Sequence, residues 1–257
     1  MTRMSEGGSY RVYEQIGATD LAVDGIRPGG LGLTERALSW CGFSPGSRIL
    51  DVGCGTGVTL TRLNRVHELS AIGLDASSVL LDQNRMRNPD LPLVRAAGEN
   101  LPFFDEHADG VLAECSLSAM NKPDKVLDEL RRVLKIGGKL ILSDVYARNP
   151  NRIDQLRHVP ADCCLRGAVS REQLMERLAS RSFRIDLWED HSDQLTDFAV
   201  QLVFSYGSMN QFWLRTGSAS VDLDDIHRAV SETRPGYYLL IAQKLAGEER
   251  ISEDDSP

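Results

Sequence analysis

Apolar residues along the chain fall into short runs, separated by segments where they recur at helical spacing. The runs cover residues 49–52 (Ile-Leu-Asp-Val), 69–74 (Leu-Ser-Ala-Ile-Gly-Leu), 93–96, 111–115, 139–145, 183–188 and 236–244. Runs of this length, rich in aliphatic and aromatic residues, read as strands. Between them, Leu60, Leu63 and Val66 mark one helix, and Val79, Leu80 and Met86 a second, closed by Asn88-Pro89. Segment 123–135 carries Val126, Leu127, Leu130, Val133 and Leu134 on one stripe, and Gly137-Gly138 is placed to end that helix. Thr34 is placed to cap a helix with Ala37, Leu38 and Cys41 on its apolar face. Ser170 and Gln173 have the spacing of a capping box for a helix carrying Leu174, Met175 and Leu178. Residues 193–214 read as one long helical stretch whose aromatics, among them Phe198, Phe204, Phe212 and Trp213, suit core or lid packing. Strands alternating with helices predict an α/β fold, a mostly parallel sheet with helices on both faces.

One junction in this pattern differs from the rest. The strand at 49–52 runs into Gly53-Cys54-Gly55-Thr56-Gly57, with glycine at every second position. Glycine is needed where backbone takes positive φ or approaches a ligand closely, and a helix start offers free N–H groups to a polar ligand. The strand carries an acid, Asp51, two residues before the first glycine. A dinucleotide fingerprint would need a sixth-position glycine, where this chain has Val58. A second acid, Asp75, ends the next strand about 20 residues on, the place from which an acid accepts hydrogen bonds from ribose hydroxyls. Ala76, Ser77 and Ser78 follow it and favour a helix start.

An acid followed by G-x-G-x-G resembles motif I of class I S-adenosylmethionine (SAM) methyltransferases, and with the elements above the resemblance covers about residues 45–245. It implies a Rossmann-like seven-stranded sheet in the order 3-2-1-4-5-7-6, the last strand antiparallel. It also implies SAM as cofactor, held by Asp51, Gly53, Gly55 and Gly57 at the methionine part, Asp75 and Ala76 at the ribose, and Gly98 and Glu99 at the adenine edge. Asn100-Leu101-Pro102-Phe103 is similar to a segment of the UbiE-like branch, although Ala97 stands where that branch has an adenine-binding Asp. Arg131 to Gly138 resembles the same family's R-V-L-K-P-G-G, with Ile136 in place of proline. Ser143-Asp144-Val145-Tyr146 and Cys164-Leu165-Arg166-Gly167-Ala168 resemble segments of arsenite methyltransferases. That likeness implies a soft metalloid, thiol or selenium acceptor at Cys164, with Glu114 and Cys115 beside it. Leu60 stands where that family has another thiol, and no cysteine follows Cys164.

Composition narrows the partners. The chain has 257 residues, a net charge of -8 and 42% hydrophobic residues. The acidic balance argues against nucleic acid, no apolar run is long enough for a membrane span, and the N-terminus has no signal-peptide core. Five cysteines without C-x-x-C spacing argue against a zinc site and a disulfide framework, and point to a reducing cytoplasm.

The expected organisation is one methyltransferase domain, residues 1–245. An N-terminal arm (1–32), with Tyr10 and Tyr13, is expected to fold loosely over the cofactor, and an insertion (148–168) to cover the active site. An acidic tail (246–257) is expected to be disordered. The expected function is methyl transfer from SAM to a small acceptor, a soft metalloid or a thiol or selenium compound on the arsenite-methyltransferase likeness, by a cytoplasmic monomer or homodimer without a metal. Two alternatives stand beside it: carbon methylation of a quinone-like ring, and a SAM-binding module without transferase activity.

Overall fold

The computed structural model describes residues 11–19, 25–157, 159, 163–216 and 222–247. The chain begins with α1 (Arg11–Gly17) and α2 (Gly30–Cys41), then β1 (Arg48–Val52), α3 (Val58–Arg65), β2 (Ser70–Asp75), α4 (Ser78–Arg87) and β3 (Leu93–Arg95). It continues with β4 (Ala108–Glu114), α5 (Pro123–Val133), β5 (Leu134–Ala147), α6 (Ile153–Arg157), α7 (Arg171–Ala179) and β6 (Phe183–Asp190). Then come α8 (Ser192–Tyr206), α9 (Met209–Thr216), α10 (Leu223–Thr233) and β7 (Pro235–Lys244).

The strands form one seven-stranded sheet in the order β3-β2-β1-β4-β5-β7-β6. The strands from β3 across to β5 pair in parallel, while β7 runs antiparallel to both β5 and β6. Each expected strand is present, and so is the expected order. The chain leaves β1 toward β2 on one side and reaches β4 on the other. The carboxyl ends of β1 and β4 therefore flank the switch point, where ligands bind in open α/β sheets.

Helix α5 shows why the core forms. Val126, Leu127, Leu130 and Val133 are all fully buried against the sheet, each contributing about 1.5–3 kcal/mol. The capping box at Ser170 and Gln173 is formed in both directions.

Several local expectations are corrected. Helix α2 starts at Gly30, so Thr34 is no cap but a fully buried residue of the helix interior. Gly137, at φ 81°, lies in an irregular stretch of β5, which starts directly after α5 rather than after the glycines. Val66, Val79 and Met86 face solvent, because Leu63, Leu81 and Asn84 take the inward positions. The stretch 193–214 is broken at Gly207 into α8 and α9, and α10 was not foreseen in its short polar context. The arm is not loose throughout, since α1 buries Val12 and Ile16. Tyr10, and the tail after Gly247, lie outside the described residues.

Candidate active site

The glycine turn after β1 forms the floor of a cleft at the switch point. At Gly53 φ is 85°, and an added Cβ would lie 2.5 Å from the Ser116 side chain, so only glycine fits. Gly53 and Gly55 line the cleft, as do Asp75, Ala76 and Gly98. Gly57 serves packing instead: a Cβ there would strike Asn84 of α4. Glu99 lies outside the lining.

Asp75 terminates β2, and its carboxylate accepts the Gly55 N–H at 2.9 Å and the Ser77 N–H at 2.8 Å. It thereby ties the glycine turn to the start of α4. Burial raises its pKa against those backbone donors. Asp51 sits one layer behind the cleft wall, only 2% exposed, and its Oδ2 has no hydrogen-bond partner. Burial, and then the charge of Glu114, push its carboxyl up to about 8, against the pull of Arg27.

Glu114 ends β4 in the cleft wall, but both its oxygens are engaged. Oε1 accepts from the Thr34 hydroxyl at 2.8 Å and Oε2 from the Thr59 hydroxyl at 2.7 Å. Arg27 donates to both threonines and lies 3.1 Å from Oε2. The Arg27 Nε is buried without a partner. Four separate segments are thus joined through one buried ion pair. Arg27, Thr34 and Thr59 escaped sequence reasoning, since none belongs to a motif. A buried carboxylate at the end of β4, needing donors, was the available signal.

A second cavity, of about 510 Å³, adjoins the cleft and shares Tyr13, Ile26 and Cys115 with it. Its walls come from α1, α8, α9 and α10 and from the insertion, with Phe198, Leu202, Phe212 and Trp213 prominent. Cys163, Cys164 and Leu165 bring the insertion into this wall, so Cys164 lines the second cavity and not the cleft. The Cys164 backbone N–H donates to the Tyr13 hydroxyl at 2.9 Å. The Cys115 thiol pKa is raised by its contact with the Cys164 thiol and by burial, and burial likewise raises that of Cys163. Among the described residues no group of three His, Cys, Asp or Glu side chains is placed to hold a metal ion. Asp144 accepts from the Ser118 N–H and hydroxyl, fixing the loop whose Ser116 and Met120 line the cleft.

The sheet order, the switch-point cleft and the glycine turn are those of class I SAM-dependent methyltransferase domains. Residues 50–142 match the family model described as a methyltransferase domain. Demethylmenaquinone methyltransferase of Renibacterium salmoninarum is 37% identical over 103 residues, 40% of this chain and 43% of that protein, so less than half of that relative is spanned. The 2-phytyl-1,4-naphtoquinone methyltransferase of Trichormus variabilis is 28% identical over 179 residues, covering 66% of this chain and 78% of that one. The crystal structure of the 4+2 cyclase SpnF superposes with a TM-score of 0.67 at 28% identity, covering 84% of this chain and 82% of that one.

The cofactor's fit rests on the cleft itself. The glycine turn leaves open space at Gly55, where no atom lies within 4 Å of an added Cβ. Arg27 lines the cleft and its buried Nε is unpartnered, a donor that suits the carboxylate of an amino-acid end, while Asp51, with an unpartnered Oδ2, lies in the layer behind. Among the described residues no helix is long and apolar enough to cross a membrane.

Proposed function

We propose that the protein transfers a methyl group from SAM to a small, largely apolar acceptor of the quinol or polycyclic type. The observation that carries this reading is the apolar cavity sharing Tyr13, Ile26 and Cys115 with the cofactor cleft. A cavity of this volume and lining suits a molecule of a few fused rings or a ring with a short tail. The likeness to two quinone-type methyltransferases supports the same class. The metalloid or thiol acceptor expected from the sequence drew on Cys164, which here shares its wall with aromatic and aliphatic side chains.

SAM supplies a methyl group already activated on a sulfonium. The protein's part is therefore mainly alignment and exclusion of water. Asp75 and Ala76 would hold the ribose, Gly98 the adenine edge, and Asp51 with Arg27 the ammonium and carboxylate of the methionine end. Glu114, held from three sides, would act as a positioning residue that keeps Arg27 and the helix start at Thr59 in place. Ile26, Tyr13 and Cys115 would wall the passage between cofactor and acceptor.

The test is incubation of the protein with SAM and a panel of quinols and naphthols, with arsenite and small thiols alongside, read by product mass. Methylation confined to arsenite or thiols would overturn the apolar reading. The likeness to a cyclase favours one second reading: a SAM-binding protein that shapes an apolar substrate without methylating it. A rearranged product of unchanged mass would establish that alternative.

A further inference from the structure

We propose that Tyr13 determines acceptor specificity, its hydroxyl donating a hydrogen bond to a hydroxyl or keto oxygen at the reacting end of the acceptor. This inference rests on reading the second cavity as the acceptor site. Helix α1 is pinned from both sides, which gives the tyrosine a fixed position. Val12 and Ile16 are buried in the cluster beneath it. Ser77 donates to Glu14 at 2.6 Å, and Arg87 of α4 donates to the Gly17 carbonyl at 3.0 Å.

The hydroxyl is fixed as well. It accepts the Cys164 N–H at 2.9 Å, which uses one lone pair, and its proton is directed at the Cys164 thiol. Its close titratable neighbours are the thiols of Cys115, Cys163 and Cys164, and thiols are weak acceptors. Burial, and then those thiols, raise the phenol's pKa, so the proton stays on at neutral pH. A half-buried donor with only a weak acceptor favours a ligand that supplies a stronger one and rejects an analogue that lacks it. Because Tyr13 lines both the cleft and the cavity, an oxygen held there lies at the junction, at the end of the acceptor that faces the cofactor.

The experiment is a two-ligand, two-protein cycle on the full-length chain saturated with S-adenosylhomocysteine. Calorimetry measures the binding of 2-naphthol and of naphthalene to wild type and to Tyr13→Phe, which keeps the ring and loses the hydroxyl. We expect 2-naphthol to bind the variant about five- to tenfold more weakly than wild type, the loss of one neutral hydrogen bond. Naphthalene affinity should stay within about twofold, because its packing is retained. Equal weakening of both ligands would assign Tyr13 a merely structural role, and unchanged 2-naphthol affinity would remove the hydrogen bond; either result overturns the inference. Binding of neither ligand to wild type would overturn the acceptor-site reading itself.

Discussion

Arg27 and Glu114 meet at 3.1 Å in a buried pair, bridged by the hydroxyls of Thr34 and Thr59. Arg27 precedes α2 and Glu114 ends β4, so the pair fastens the N-terminal segment onto the cofactor cleft. Glu114→Ala would leave the arginine buried without its partner, which costs about 3–5 kcal/mol. A thermal melt should show a correspondingly large fall in Tm. Glu114→Gln keeps an acceptor for a threonine, and its methyl-transfer activity should retain the pH profile of wild type. Loss of one limb of that profile would make Glu114 a proton acceptor rather than a positioning residue.

Asp75 bridges the glycine turn and α4 while lining the cleft. Asp75→Ala should weaken SAM binding by about 1.5–3 kcal/mol, the loss of a hydrogen bond to a charged group. Calorimetry gives the number directly, and an unchanged affinity would refute the ribose role.

Asp51 makes stability and cofactor binding depend on pH in opposite senses. Its carboxyl stands near 8 in the folded chain, against an ordinary value of 3.8. The folded state thus keeps a proton that the unfolded state has lost, so stability falls as pH rises from about 4 to about 8. Asp144, pushed up to about 6 chiefly by burial, adds to the lower part of this fall. Asp51→Asn should raise the Tm of the ligand-free protein at pH 8 and flatten its pH dependence. A cationic ammonium group favours ionised Asp51, so SAM affinity should rise with pH by at most about tenfold per unit and level off above about 8. In Asp51→Asn that slope should vanish; a slope that persists would detach Asp51 from the cofactor.

Cys164 meets the Tyr13 hydroxyl through its backbone amide, a bond that serine in its place retains, and through its thiol, a weak acceptor that the serine hydroxyl replaces. Cys164→Ser should therefore keep SAM affinity and reduce methylation of an apolar acceptor by no more than about threefold, a small packing loss. A loss of activity far beyond that, with binding intact, would restore the thiol as a ligand for a soft acceptor.

The seven strands and the glycine turn were legible in the sequence because each is written locally, while the order of the strands came from the resemblance to class I methyltransferases. Alternating apolar runs fix strands, the glycines after Val52 fix a turn, and an acid at the end of β2 lies beside that turn in any parallel pairing of β1 with β2. Helix faces were less legible, as Met86 and Val79 illustrate: on short helices a single apolar residue does not say which side the sheet covers. The Gly137-Gly138 pair was misread for a related reason, since a glycine that ends a helix and one that distorts a strand look alike until the pairing with β4 is known.

The sequence alone pointed to a SAM-type cleft, because Gly53, Gly55 and Asp75, which line it, sit within fixed distances of one turn along the chain. Only the tertiary structure decided what stands opposite the cofactor. Tyr13, Cys115, Cys164, Phe198 and Trp213 are far apart in sequence and meet in one wall because α1, the insertion and the helices α8 and α9 pack over the carboxyl ends of the strands. The partners of Glu114 were decided in the same way. A buried carboxylate requires donors, but which residues supply them depends on how α2 and α3 dock on the sheet, and no local pattern encodes that.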